Sequence, residues 1–502
     1  MQFPAFPSAS VGGLSLATLA LRHPRVVDHG IRIDRVPAFA WLVLQAAALW
    51  PTWRGMAARM RDGSDDPLGL LAIAALALLL WTVRRELRAT PRLGWLLLAS
   101  VGTLTASMLD GGAVLSPLAT GLIAVMAWSC GLLAFLPRRT AAFPVVGLAV
   151  LALPMLSSLQ FYAGYPLRVV TAEASRWLLM PRFDVTREGS TLVVDGLQVI
   201  VDAPCSGVQM VWLGYFTACI VALRVWRGDR SFIARLPFVG LSVLAGNIVR
   251  NSVLVGFEAT GQPLAPWAHD VWGLALLAAV CGSIAWAMTW DRTRDDTPEN
   301  AARNAPRNAS SGGFLLQNRF IDRVAHKTLF AVAMMLSLVG GFAGAASSSP
   351  TPSAASAFNE WPATWDGVPL RPMALTDVEY RFAQRFPGAI ARMTDGERMF
   401  VLRRVDAPTR MLHPAVDCYR ALGYSIDHAR LERDAQARMW RCFSAARAQT
   451  GKQGQTLRVC ERIVDAGGTA FTDTSAWYWA AAGGRSQGPW QAVTRVEHEG
   501  PG

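Results

Sequence analysis

Charge is scarce in this 502-residue sequence: Asp, Glu, Lys and Arg make up only 17% of it, against 52% hydrophobic residues. A soluble chain typically carries about 25% charged residues, so this one needs a lipid-facing surface, and disorder and a collagen-like chain are excluded. Cysteine is also sparse, with seven residues scattered along the chain. No CxxC pair or dense framework is present, so neither a metal site nor a disulfide scaffold is expected, and no cofactor is implied. No cleavable signal peptide is expected either, because Gly12 to Leu21 is weakly apolar and is followed by basic residues rather than a processing site. The net charge of +12 is not gathered on one stretch. Its Arg clusters lie between apolar runs, which reads as membrane topology and argues against a nucleic-acid partner.

What is present is a series of nine apolar runs of roughly spanning length, at about 36–53, 68–83, 93–109, 113–136, 144–163, 206–223, 236–257, 270–290 and 328–346. Lys and Arg prefer the cytoplasmic side of short loops. Arg84, Arg85, Arg88 and Arg92, then Arg138 and Arg139, then Arg224, Arg227, Arg230 and Arg235 occupy alternate loops and so share one side. The start of the chain joins them, and the loop with Arg54, Arg59 and Arg61 is the exception. With that side inside, residues 164–205, 258–269 and everything after about 347 face outward. The expected fold is an all-α polytopic membrane protein of about nine transmembrane helices with a C-terminal extracytoplasmic α+β domain. Its parts are a cytoplasmic segment over 1–35, a transmembrane core over 36–290, a cytoplasmic linker over 291–327, an anchor or internal signal-like segment over 328–346, and a globular domain over 350–502.

Two outward segments have predicted structure of their own. Leu167, Val170, Ala174, Trp177 and Leu178 fall on one helical face, which predicts a short helix lying in the membrane interface. The run from Thr191 to Val201 predicts two short strands hinged at Asp195-Gly196. In the tail, Met399 to Leu402 reads as a strand and Trp477, Tyr478 and Trp479 form an aromatic cluster. Cys418, Cys442 and Cys460 lie there, and in an oxidising compartment they allow one internal pair whose members the sequence leaves open.

Three residues could carry chemistry. Cys205, in Asp-Ala-Pro-Cys-Ser-Gly, stands where a polar loop enters the sixth run, a place where a helix N-terminus favours a thiolate; the alternative is a small apolar residue at a helix start. Arg250, in Gly-Asn-Ile-Val-Arg-Asn, lies roughly 10 Å inside the seventh run and needs protein, water or an anion around it; the alternative is snorkelling or a structural hub with Asn247 and Asn251. His269 opens the eighth run and by itself means little. Together they offer a nucleophile, an oxyanion or thiolate stabiliser and a proton shuttle on consecutive helices at one face, which is the equipment of acyl transfer through a thioester. Glu258 and Asp270 could orient His269 but read by default as solvated carboxylates.

The Ala-Pro-Cys205-Ser-Gly block, the Asn247-x-x-Arg250 block and His269, in that order, resemble the exosortase/archaeosortase family of membrane cysteine transpeptidases over about residues 36–290. Pro204 departs from the acidic-Ala-Cys run of the family. The resemblance implies catalytic roles for Cys205, Arg250 and His269. As partners it implies membrane lipid and exported proteins bearing a C-terminal sorting signal, which would be cut near the outer surface and passed to a surface acceptor. The tail resembles an exopolysaccharide-associated accessory domain through Leu412-His413-Pro-Ala-Val-Asp-Cys418 and the Trp477 to Trp479 region, which adds exopolysaccharide machinery as a further partner. His413 and Cys418 form a second functional pair or, alternatively, a packed His beside a structural Cys. A different class of function also fits: a non-enzymatic component of exopolysaccharide export in which Arg250 and His269 bind an anionic glycan or headgroup.

Overall fold

The structure, a computed structural model, describes residues 36–61, 67–109, 117–200, 207–261, 265–290, 327–339, 361–384, 386–427, 429–449 and 452–498. Each of the nine apolar runs contains helix. These helices are α1 (Ala38–Ala48) continued after Leu49 by α2 (Trp50–Arg61), α3 (Gly69–Val83), α4 (Leu93–Leu109), α5 (Pro117–Phe135), α6 (Ala142–Leu151) with α7 (Leu156–Tyr162), α9 (Val208–Arg224), α10 (Asp229–Ala259), α11 (Pro266–Thr289) and α12 (Lys327–Val339). Nine full spans do not follow. Among the described residues, only α5, α10 and α11 are long and apolar enough to cross a bilayer, and a fourth crossing requires counting α6 and α7 as one. That pair bends by 87°, where the sequence reading expects one continuous helix. The break holds Pro154, which has no N–H to donate and disfavours helix at the residue before it.

The Arg-bearing loops meet at one end of the bundle. Arg139 pairs with Glu86, and the Phe143 N–H donates to Asp229 at 2.8 Å, so the loops before α4, α6 and α10 adjoin one another. Arg92 donates to the Leu133 carbonyl at 3.1 Å near the C-terminus of α5, and Arg235 to the Ala287 carbonyl at 2.9 Å near the C-terminus of α11. Cations there satisfy the orphan carbonyls of the last turn. The loop clustering inferred from charge alone is thus a physical neighbourhood. Inside the bundle, Gln45 donates to Thr103 Oγ1 and to the Ala127 carbonyl, tying α1 to α4 and α5. Phe330 of α12 is buried against Trp41 of α1, with ring centroids 5.8 Å apart, so α12 packs into the same core.

At the opposite end, α8 (Gly164–Leu179) forms where the sequence predicts a short amphipathic helix. Its polarity is inverted relative to a soluble helix: Val170, Trp177 and Leu178 are exposed, whereas Arg168, Thr171 and Ser175 are buried. An apolar face turned away from protein suits lipid. A three-stranded antiparallel sheet follows, β1 (Val185–Glu188), β2 (Thr191–Val194) and β3 (Leu197–Ile200). The expected hinge is there, with Asp195 and Gly196 at φ of 49° and 84°, the paired positive angles of a tight hairpin. The sheet packs Val185, Leu192, Val194 and Val199 against Ala172 and Leu179 of α8 and Val255 of α10.

The tail is α+β, as expected. Strands β4 (Thr364–Trp365) and β5 (Val368–Pro369) pair with each other. The main sheet is antiparallel, in the order β10 (Arg430–Arg433), β11 (Met439–Gln449), β12 (Lys452–Val464), β14 (Trp490–His498), β8 (Met399–Val405), β7 (Gly388–Thr394) and β6 (Arg371–Met373). Short strands β9 (Ser425–Ile426) and β13 (Ala470–Phe471) pair with β11 and β12. Three helices accompany it: α13 (Asp377–Ala383), α14 (Ala415–Ala421) and α15 (Thr474–Ala482). Cys442 and Cys460, directly opposite each other on β11 and β12, form a disulfide, which leaves Cys418 as the free thiol of the tail.

Candidate active site

Cys205 lies outside the described residues, which resume at Gly207. Gly207 caps the N-terminus of α9 with φ of 77°, a left-handed conformation that costs glycine little. It also rests directly on Asn247, because a Cβ added there would stand 2.8 Å from the Asn247 side-chain carbon. The start of α9, two residues after Cys205, is therefore seated on the Asn247 turn of α10. Asn247 is buried; its Nδ2 donates to Thr171 Oγ1 of α8 at 3.2 Å, and its carbonyl accepts from Asn251 Nδ2 at 2.8 Å. A close crossing supports the same turn, since a Cβ on Gly246 would meet Val280 of α11 at 2.4 Å.

Arg250 is three residues beyond Asn247 and so on the same side of α10. Its guanidinium lies beside Gly273 of α11, with Nε 3.5 Å from the place a Cβ would occupy. His269 precedes Gly273 by four residues, one turn away on the same face of α11. Its side chain is 37% exposed, and Nδ1 stands 3.6 Å from a carboxylate oxygen of Asp270 that is itself 86% exposed. That separation is too long for a hydrogen bond, so Asp270 remains a solvated carboxylate beside His269. Arg250 and His269 thus occupy neighbouring turns across the α10–α11 crossing, next to the Asn247 turn on which α9 begins.

Chemically, the arrangement offers a fixed cation, a partly solvated imidazole with access to protons, and a helix N-terminus. Residues 59–286 match the family model of the transmembrane exosortases. The matched stretch, residues 59–286, belongs to the exosortase family. The match spans Cys205, Arg250 and His269, and membership supports a membrane transpeptidase in general terms. No curated protein and no solved structure matches the chain. The tail lies outside the matched residues.

Thr171 and the buried polar face of α8, which adjoin the Asn247 turn, are not found by the sequence reading. An amphipathic pattern shows that one face of a helix is polar, but not that it faces inward. The tail also reaches this region. Asp473, at the start of α15, pairs with Arg168 of α8 at 2.6 Å. Trp479 Nε1 donates to the Tyr162 carbonyl at 2.7 Å, Ser475 Oγ to the Phe161 carbonyl, and Arg410 to Ser157 Oγ at 2.7 Å.

His413 and Cys418 of the tail do meet, with Nε2 3.0 Å from Sγ and Nδ1 3.0 Å from the Met411 carbonyl. Nδ1–H donating to that carbonyl leaves Nε2 to accept from the thiol. Burial pushes the Cys418 thiol up to about 11, and burial together with the charge of Arg403 holds the imidazole down at about 4. Proton transfer within the pair is therefore uphill, and at neutral pH it is a hydrogen-bonded thiol and imidazole, both uncharged.

Proposed function

We propose that this protein is a membrane-embedded cysteine transpeptidase or protease that cleaves C-terminal sorting signals of exported proteins through a thioester on Cys205. In this reading the Cys205 thiolate attacks the scissile carbonyl while Arg250 stabilises first the thiolate and then the oxyanion. Collapse of the tetrahedral adduct expels the amine, which takes its proton from His269. A nucleophile on the surface acceptor then attacks the thioester, and the cysteine thiol is released. The observation that carries the proposal is the seating of Gly207 on the Asn247 turn, since it ties the residue two places after Cys205 to the turns bearing Arg250 and His269.

The same reading makes the nine apolar helices membrane crossings, some completed by flanking residues, with the site and the tail outside the cytoplasm. The Cys442–Cys460 disulfide supports an oxidising compartment for the tail, which is read here as an accessory domain for exopolysaccharide-linked export. The test is replacement of Cys205 by Ala or Ser, with processing of a sorting-signal substrate followed in cells. Loss of processing supports the enzyme; unchanged processing would instead favour a non-enzymatic export component.

A further inference from the structure

Arg168 is only 3% exposed, and a guanidinium so far from solvent is costly to hold without an opposing charge. The carboxylate opposite it is supplied by the tail from 305 residues away. Asp473 is also the N-cap of α15: its Oδ1 accepts from the Ala476 N–H at 2.8 Å while Oδ2 faces Arg168, with Arg441 of β11 3.6 Å away. On α8, Thr171 follows Arg168 by three residues and shares its buried face, and Thr171 accepts the hydrogen bond from Asn247. The contacts run without a break from the tail through α8 to the α10 turn beneath Gly207.

We propose that Asp473 is a positioning residue for the membrane site: the docked tail fixes α8 through Arg168, and α8 through Thr171 fixes the Asn247 turn between Gly207 and Arg250. The domain following the exosortase part is then a component of its pocket rather than a tethered passenger. A single hydrogen bond could not transmit this by itself, but α8 is rigid over the one turn separating Arg168 from Thr171. The three further contacts from Arg410, Ser475 and Trp479 to residues 157–162 fix where α8 begins. The consequence for Cys205 chemistry rests on the reading proposed above, whereas the mechanical coupling does not.

Two measurements on the full-length protein separate these. Asp473→Asn removes the charge but keeps a good helix cap, so the tail is expected to stay folded. Hydrogen exchange on the purified protein should show at least tenfold faster exchange over residues 168–175 and 247–252, no change in α4 and α5, and recovery in Asp473→Glu. Wild-type exchange over 247–252 in a variant whose α8 has loosened would overturn the coupling. The second readout is the pH profile of Cys205 alkylation in membranes, resolved by peptide mass spectrometry. A depressed wild-type midpoint that rises by about one pH unit in Asp473→Asn supports positioning, and an unmoved midpoint contradicts it. A wild-type midpoint already at the ordinary thiol value of about 8.5 counts against the transpeptidase reading, while the exchange result still decides the coupling.

Discussion

In the proposed mechanism Arg250 and His269 carry separable burdens, and their substitutions should differ accordingly. Arg250→Gln removes the cation proposed to face the developing oxyanion and is expected to lower processing by about 10²–10³-fold. Arg250→Lys should recover only part of this, because a point charge on a flexible stem cannot present a planar fork. His269→Ala should cost about 10²–10⁴-fold, the usual worth of general acid–base catalysis, and processing rates in cells check both. The His413–Cys418 pair predicts a pH effect instead. The folded His413 binds its proton only near pH 4, and the unfolded chain near 6.5. Between those values the unfolded state holds the extra proton, so stability falls as pH drops through that window. The loss is about 2 kcal/mol once the ring's partial exposure is allowed for. Arg403, Arg410 and Cys418 are the charged or titratable groups facing it. Thermal melts from pH 7 to pH 4 should lose this slope in His413→Gln. At this scale the sequence is informative where a residue is out of keeping with its surroundings, as with Arg250 in an apolar run, which the structure sets against Gly273 of α11. It is silent on Asp473, since an acidic residue beside an aromatic cluster says nothing about a partner 305 positions away.

Elements were legible in proportion to the length of their pattern. All nine apolar runs hold helix, and the Asp195-Gly196 hairpin is where the turn chemistry puts it. The 87° bend between α6 and α7 was not read, although Pro154 marks it, because a hydropathy window averages over a proline. Strand β1 was missed because Val-Thr-Arg-Glu has no alternating apolar signal; it forms through pairing with β2. The conformation of Gly207 gives an element-scale prediction. Gly207→Ala must hold a left-handed φ and push its methyl into Asn247, so it should destabilise the α9–α10 junction by about 1–3 kcal/mol and reduce processing at least tenfold. Gly196→Ala carries the same left-handed strain but meets no atom within 4 Å, so it should reduce processing clearly less than Gly207→Ala. Equal effects of the two substitutions would contradict the seating of α9 on Asn247.

For the molecule as a whole, the alternation of Arg loops anticipated which segments would be neighbours. Loops assigned to one side touch each other, and two segments assigned to the other side, residues 164–205 and the tail, are joined by the Arg168–Asp473 pair. Which compartment each end faces is part of the proposal. The Cys442–Cys460 bond bears on it: replacing both cysteines with Ser should lower tail stability by about 3 kcal/mol, given a loop spanning 18 residues. The central claim is that sulfur, guanidinium and imidazole act on a single carbonyl. Trapping the acyl-enzyme tests it most directly, by incubating membranes with a sorting-signal substrate, quenching in acid and locating the adduct by mass spectrometry. The account predicts a hydroxylamine-labile acyl group on Cys205, absent in Cys205→Ala and strongly reduced in Arg250→Gln. Processing that continues with no adduct on Cys205, or an adduct on Cys418 instead, would contradict it.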